Sequence, residues 1–472
     1  MARVKRWMPG AVFLATLAVY WAIGPDAPQG GDTVPNRYLP LAVSCGDWTL
    51  DRFSALWESP RSARPDRFPY YATRAVTGSL VSTFGPAVPA LSAPFYWVWA
   101  SAFGLRDSPD VLRASRVLAG LLGAVAALFT YLACSAVAGL GGSLLAAAAF
   151  AFGSGVWSVA SRGLWQHSWA TPCVAVGVWA LLSRPLDRAG LRVPLAGLAF
   201  AIAFACRPQT GVFLVAAAVA VLLARRESFT GFLLAAAPVL LLVSAYNTWY
   251  FDSPFAFAQT VRSSDVALHK TGSASLIGAR PWVAAAGLLL SPSRGLFVFS
   301  PVFAAGFVAL VRPTRDPRVL RLLVLATLGL FLTAAFWFDW WGGATVWCRP
   351  LIEATPILAV GTAIGWDRYG RGFWMRLLIG CALIWSVALG AASVTHPGAV
   401  AWNEEVQVDR HPERLWNLSN SLPVRLLELR PQDRIPLADS RAVRVVECGV
   451  QDEYQAETVT ESETVTGFTW SR

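Results

Sequence analysis

Residues 7–25 read WMPGAVFLATLAVYWAIGP, framed by Arg3, Lys5 and Arg6 on one side and Asp26 on the other. A helix crossing the ~30 Å hydrocarbon layer of a bilayer needs ~20 such residues. The run therefore predicts a membrane span over about residues 7–24, directly behind a basic N-terminus. The signature recurs: no formal charge falls between Arg116 and Arg162. Over the 472 residues, 55% are hydrophobic and only 14% charged, against roughly a quarter charged in soluble domains. Soluble enzyme, nucleic-acid binder and disordered scaffold are excluded. The chain reads as an all-α polytopic membrane protein.

Working outward, further apolar stretches lie near 84–105, 117–138, 143–160, 168–183, 193–206, 210–224, 231–250, 297–311, 321–338, 351–366 and 376–394. The basic start has the look of a signal peptide, but no Ala-x-Ala site follows, so the first helix is expected to stay uncleaved. Cytoplasmic loops carry the excess of Lys and Arg. That bias puts the N-terminus inside, together with Arg184/Arg188/Arg192, Arg225/Arg226 and the loop Arg312–Arg321. Residues 25–82 become a long external loop, with surface-helix character over Trp48–Trp57, and residues 396–472 an external tail. Counting forward and counting back disagree about the side on which His167 lies. One of the stretches between 84 and 160 is therefore expected to be broken or re-entrant, which leaves about 11 spans. The division is a transmembrane domain over 1–395 and a tail over 396–472. The tail carries Val-rich runs (Ala442–Val446 and Thr458–Phe468) suited to short strands.

The net charge is +10 and almost all arginine, since Lys5 and Lys270 are the only lysines. The tail is acidic, so the excess sits on the membrane part. Arginine beyond the positive-inside bias suits an anionic lipid or phosphate, because its planar fork grips oxyanions two at a time. Seven cysteines show no C-x-x-C spacing and give no metal-ligand signal. Cys45, Cys348 and Cys448 fall in segments assigned to the outside, where a disulfide is permitted; spacing alone chooses no pair.

Chemistry-bearing residues gather at membrane edges. The first external loop opens Gly31-Asp32-Thr-Val-Pro-Asn-Arg37, an acid and an arginine five residues apart. They suit a base beside an oxyanion clamp, and equally a solvated turn with an incidental ion pair. Arginine recurs beside proline or aromatics in Cys206-Arg207-Pro208, Ser291-Pro-Ser-Arg294-Gly and Trp340-Trp-Gly-Gly-Ala-Thr-Val-Trp-Cys-Arg349-Pro350. Such residues mark a site or simply snorkel to headgroups. The polar knot Ser161-Arg-Gly-Leu-Trp-Gln-His167 holds one of four histidines, a packing residue or a phosphate partner. Most of the 22 tryptophans fit an interfacial belt. No P-loop, G-x-G-x-x-G or Ser-His-Asp set is present.

These motifs resemble the glycosyltransferase C superfamily of integral membrane enzymes, on the branch of protein O-mannosyltransferases and bacterial aminoarabinose transferases. The carriers are the Asp32 loop, Ser82-Thr-Phe-Gly-Pro86 with Pro89 and Pro94, Ser158–His167, Tyr246–Pro254, Ser291–Pro301 and Trp340–Pro350. Together they cover about residues 1–395. The resemblance implies transfer of a mannose-like hexose or a pentose from a polyprenyl-phosphate donor to an extracytoplasmic glycan, lipid or protein acceptor, with membrane lipids as the other partners and no nucleic acid. It implies a place in the inner (plasma) membrane. The general base of such enzymes maps onto Asp32, and the donor phosphate is expected at Arg37 and Arg349, with Arg294, His167 and Lys270 as lesser candidates. Several members carry a second acid in the first-loop motif, whereas Thr33 follows Asp32 here. No metal and no cofactor is expected, the lipid-linked sugar being a substrate, and the anomeric centre should invert. The competing readings are a transporter or lipid flippase without transferase activity, and an assembly factor that has lost activity. A transporter more often shows internal repeats and mid-span ionisable residues.

Overall fold

The computed structural model describes residues 2–23, 30–56, 70–105, 107–183, 190–260, 274–310, 317–396, 398–428, 443–446 and 449–452. Lys270, most of the Arg184/Arg188/Arg192 cluster, much of the Arg312–Arg321 loop, Cys448 and the run Thr458–Phe468 lie outside them. The described chain is mostly helical. The first apolar run becomes α1 (Ala2–Ala22). The loop after α1 supplies α2 (Thr33–Val43), a 3-10 segment at Asp51–Leu56 where a surface helix is expected, and a hairpin of β1 (Ala72–Arg74) and β2 (Leu80–Ser82).

Among the described residues, eleven helices then run to residue 336: α3 (Ala87–Phe103), α4 (Ser108–Val137), α5 (Leu140–Phe152), α6 (Gln166–Leu182), α7 (Arg192–Cys206), α8 (Gly211–Ala224), α9 (Arg226–Phe251), α10 (Pro281–Leu290), the short α11 (Leu296–Phe299), α12 (Val302–Leu310) and α13 (Pro317–Phe336). A 3-10 turn, Arg349–Ala354, leads into α14 (Thr355–Tyr369), and α15 (Phe373–Thr395) closes the membrane part. In the tail, α16 (Gly398–Glu405) and α17 (Leu422–Leu427) precede the antiparallel pair β3 (Val443–Val446) and β4 (Gly449–Asp452).

Among the described residues, four helices are long and apolar enough to cross a membrane: Pro109–Val137, Arg226–Phe251, Val319–Phe336 and Phe373–Thr395. Their outward faces are greasy. Leu241 and Leu242 of α9 are 68% and 72% exposed, a surface suited to lipid rather than water. The break expected between residues 84 and 160 is present: α5 stops at Gly153, and a single π turn, Val156–Ala160, follows before the polar knot. A second break, which the apolar pattern conceals, falls between α10 and α12. There Ser291–Gly295 and Pro301 interrupt the helix, since proline lacks the amide to continue it.

The bundle core gathers α4 to α8 with α12 to α14. A second core joins α2, the hairpin, α3 and the N-terminal part of α4, so the loop after α1 has apolar packing of its own. Helices α12 and α14 approach each other closely. A Cβ on Gly306 would stand 2.5 Å from the Leu358 carbonyl oxygen, and one on Gly361 would stand 2.5 Å from that of Gly306. Small residues let two backbones meet in this way, which is how membrane helices gain packing without a hydrophobic driving force.

Gly306→Val should therefore separate α12 from α14 and cost about 1–3 kcal/mol by overpacking. The expected result is a marked fall in the thermal midpoint of detergent-purified protein. An unchanged midpoint would show that this crossing is not tight.

Candidate functional site

The site begins at the head of α2. Asp32 occupies the N-cap position in helical backbone geometry, yet its side chain makes no capping bond. Asp is among the best N-caps because its oxygen can take an orphan amide of the first turn. Here the carboxylate has other partners. Tyr70 donates its hydroxyl to Oδ1 at 2.6 Å, and Arg349 forms an ion pair with Oδ2. Asp32 and Arg349 are 317 residues apart in sequence. Their side chains are 21% and 16% exposed, so the pair stands at an opening rather than in the interior.

Each neighbour is delivered by a nearby element. Tyr70 precedes β1, and the hairpin ladder reaches back to it through Thr83 N–H donating to the Tyr71 carbonyl at 3.0 Å. The Tyr70 ring is 46% exposed, while its hydroxyl is turned inward onto Asp32. Burial of that hydroxyl, and then the charge of Asp32, push the phenol well above its usual range, so Tyr70 acts as a donor. A Cβ on Gly31 would fall 2.7 Å from the Tyr70 oxygen. A larger residue there would push the Tyr70 hydroxyl off Asp32.

Arg349 lies with its guanidinium carbon 4.9 Å from the centre of the Trp165 ring. Burial disfavours its charge, but Asp32 outweighs burial and holds the guanidinium protonated above its ordinary range. The loop that delivers it is strained. Trp347 adopts φ +72°, a conformation costing a bulky residue about 1–3 kcal/mol. Its indole N–H bonds Ser300 Oγ at 2.7 Å, and its carbonyl accepts from Arg349 N–H at 3.0 Å. Trp165 is set by the polar knot: Ser168 Oγ accepts from Trp165 N–H at 3.0 Å and donates to the carbonyls of Ala160 and Gly163 at 2.7 and 2.8 Å. Arg162 reaches the Ile23 carbonyl at 2.8 Å, pinning the knot to the end of α1.

Behind Arg349, one 3-10 turn on, Glu353 is fully buried. His167 Nδ1 is 2.7 Å from its Oε1, and Arg207 pairs with Oε2 while donating to the Pro350 carbonyl at 3.2 Å. Arg207 follows the last turn of α7 with extended backbone before Pro208, as a residue preceding proline must. Two ion pairs thus stand on the two ends of one short turn, Asp32–Arg349 at the opening and Arg207–Glu353 inside.

The remaining candidates are placed elsewhere. Arg37 is buried and bonded to Thr33 Oγ1 at 3.0 Å within the first turn of α2. Arg294 is a strut: it donates to the carbonyl of Gly343 at 3.3 Å and to Asn403 Oδ1 at 2.7 Å. It also flanks Trp402, 5.2 Å from the ring centre, with Arg414 at 4.3 Å. The described tail is sewn to the same region, by Ser291 Oγ to the Leu415 carbonyl at 2.7 Å and by Trp341 Nε1 to Asp409 Oδ1 at 2.8 Å. His167 lies in the inner cluster, and Lys270 outside the described residues. Cys45 is in a disulfide, whereas Cys348 is a free buried thiol. Tyr70 and Glu353 are the residues that sequence reasoning missed. Glu353 had a signal, as a lone acid in an apolar run; Tyr70 had none among the aromatics of its loop. Among the described residues no three His, Cys, Asp or Glu side chains converge as a metal site would need.

No family model matches the sequence, and no curated protein matches it. Solved structures do resemble its trace. The Archaeoglobus fulgidus oligosaccharyltransferase, in complex with zinc and sulfate, is 16% identical with a TM-score of 0.49, over 91% of this chain and 58% of that one. ArnT from Cupriavidus metallidurans in the apo state is 14% identical, TM-score 0.48, over 90% and 75%. The archaeal oligosaccharyltransferase AglB from A. fulgidus, bound to an inhibitory peptide and a dolichol-phosphate, is 16% identical, TM-score 0.48, over 92% and 61%. The chain therefore spans less than two thirds of the length of the two oligosaccharyltransferase structures.

The inner cluster makes a prediction about stability. Removing one member of a buried ion pair leaves its partner uncompensated, at about 3–5 kcal/mol. Glu353→Gln should lower the unfolding midpoint in denaturant strongly, and Glu353→Leu combined with Arg207→Met should recover much of the loss. A loss in the double variant equal to the sum of the two single losses would show that the two charges do not depend on each other.

Proposed function

We propose that the protein is a membrane glycosyltransferase that moves a sugar from a polyprenyl-phosphate donor to an acceptor hydroxyl outside the cytoplasm, with Asp32 as general base. The observation that carries this reading is the Asp32–Arg349 pair, a carboxylate and a guanidinium held together at an opening beside the end of α1. The motifs resembling the glycosyltransferase C superfamily support it, since the Asp32 loop and Trp340–Pro350 are the two segments the pair joins. In this reading the chain crosses the plasma membrane about 11 times, with its N-terminus inside and its tail outside, and the sugar is a mannose-like hexose or a pentose.

The chemistry follows from the two groups. The acceptor oxygen attacks the anomeric carbon and gives its proton to Asp32, while the bond from that carbon to the phosphate oxygen breaks on the opposite face. The configuration inverts, and polyprenyl phosphate leaves with the electron pair. Its charge is met by Arg349, pre-placed where charge develops. A phosphate leaves without a proton, so no second carboxylate acting as acid is needed, in contrast to enzymes that split sugar–sugar bonds. The reaction is written without a metal because Asp32 itself supplies the proton acceptor and Arg349 the positive charge.

The ion pair has a further consequence within this mechanism. Arg349 cannot grip a phosphate fully while it grips Asp32. Donor binding therefore draws the guanidinium away from the carboxylate, leaving Asp32 free to accept a proton only once the donor is seated. Tyr70 keeps the carboxylate in place as the arginine turns.

Transfer from radiolabelled polyprenyl-phosphate mannose and polyprenyl-phosphate pentose in membranes tests the reading. Asp32→Asn should lower turnover by about 10²–10⁴-fold, the range for a general base, with donor affinity within a few-fold of wild type. Tyr70→Phe should lower turnover by roughly 10-fold, the worth of one hydrogen bond to a charged group. Full activity in Asp32→Asn would remove the base assignment. Absence of transfer from every donor by the wild type would favour a transporter or flippase.

A further inference from the structure

Around Asp32 the protein carries polar groups that its own structure leaves without partners. Asn36 is completely buried, and neither the nitrogen nor the oxygen of its amide has a hydrogen-bond partner among the described residues. Trp165 is 3% exposed, and its indole N–H is likewise unpartnered, as is the Gln166 amide nitrogen beside it in sequence. Buried polar groups in native proteins are nearly always paired, and each exception calls for an explanation. Leaving such a group unmade costs about 1–3 kcal/mol, which an apolar residue of the same shape avoids.

Their placement gives the explanation. Asn36 lies four residues after Asp32 in continuous helical backbone, so it occupies the same side of α2 one turn further in. Trp165 holds the other wall. The guanidinium of Arg349 lies against its ring, and its six-membered edge would be 3.2 Å from a Cβ on Gly30, two residues before Asp32. Contact places Trp165 against the ion pair from the knot side, and helical spacing puts Asn36 on the Asp32 side of α2. Taken together they are donor-rich: one indole N–H, two amide nitrogens and a single amide oxygen.

We propose that Asn36 and Trp165 form a subsite that hydrogen-bonds the oxygen-rich head of the lipid-linked donor beside Asp32 and Arg349. Their hydrogen-bonding capacity is kept for phosphate or sugar oxygens and is satisfied only when the donor is bound. The inference rests on the glycosyltransferase reading and adds to it two specificity-determining residues. Trp165 acts twice, its face seating Arg349 and its N–H reaching the ligand. Gln166, on the next residue, extends the donor row.

The experiment measures binding of polyprenyl phosphate and of polyprenyl-phosphate mannose to full-length protein in nanodiscs, together with thermal midpoints. Trp165→Phe keeps an aromatic face under Arg349 and removes the N–H together with the five-membered ring that carries it. Asn36→Leu removes an unpaired amide from the interior. Both variants should bind the sugar conjugate at least 10-fold more weakly, while Asn36→Leu raises the thermal midpoint rather than lowering it. That combination separates ligand binding from a structural role, which would lower the midpoint and the affinity together. Equal losses for both probes assign the subsite to phosphate oxygens, and a loss confined to the conjugate assigns it to sugar hydroxyls. Wild-type affinity in both variants overturns the proposal, as does a destabilised Asn36→Leu with Trp165→Phe unaffected. If the wild type itself binds neither probe, the glycosyltransferase reading fails and the subsite falls with it.

Discussion

The ion pair between Asp32 and Arg349 closes a loop of 317 residues, and most of what is unusual in the structure serves to hold those two charges at one opening. Asp32 is presented by the first turn after α1, Arg349 by the turn before α14. Neither end is fixed by its own helix alone. Arg162 ties the knot to Ile23, Trp165 carries the guanidinium on its face, and the hairpin brings Tyr70 over the top. A pair exposed to water would be worth little. This one is four-fifths covered, flanked by rings, and oriented by a third group, which makes its geometry specific even where its net energy is small.

The turn bearing Arg349 needs an anchor, and Glu353 is that anchor. An acid with no exposed surface is costly in isolation, but here Arg207 and His167 fill its two oxygens. Arg207 also accounts for the carbonyl of Pro350, next to Arg349. On the other side, Arg294 spans from the α10–α11 turn to Gly343 and on into the tail through Asn403. The basic residues of this protein thus divide their work. Arg349 faces the opening, while Arg207 and Arg294 shape the loop that carries it. The tail is part of that loop's support, which ties residues 398–428 to the membrane part more closely than their composition suggests.

Much of this was legible beforehand, and the physical reason for each success or failure is local. Apolar runs of membrane length announced the helices, because a bilayer demands them. Asp32 stood out as an acid immediately after a span, and Arg349 as an arginine among aromatics at a span's edge. Their contact did not, since nothing in local spacing relates positions so far apart. Arg37, close to Asp32 in sequence, looked the better partner, yet helical geometry turns its side chain into the first turn of α2. Glu353 was absorbed into an apolar stretch, where one acid changes the hydropathy little but the electrostatics greatly. The break between α10 and α12 was similarly hidden, because prolines and a small polar cluster leave the average apolarity of the segment intact.

Several places where local rules are broken lie in the segments that carry the ion pair: a good capping residue that does not cap, a tryptophan at positive φ, an amide buried without partners and an indole N–H left unmade. Other parts follow the rules closely: α4 is capped by Asp107 through the amide of Asp110, and α12 meets α14 through glycines placed where backbones touch. Sequences that fold well agree with themselves at every level, and departures are expected where function requires a conformation that stability alone would not select. Each departure here keeps a charge or a hydrogen-bonding group from being used up by the protein itself. A surface evolved only to fold would have let Asp32 cap its helix and replaced Asn36 with leucine.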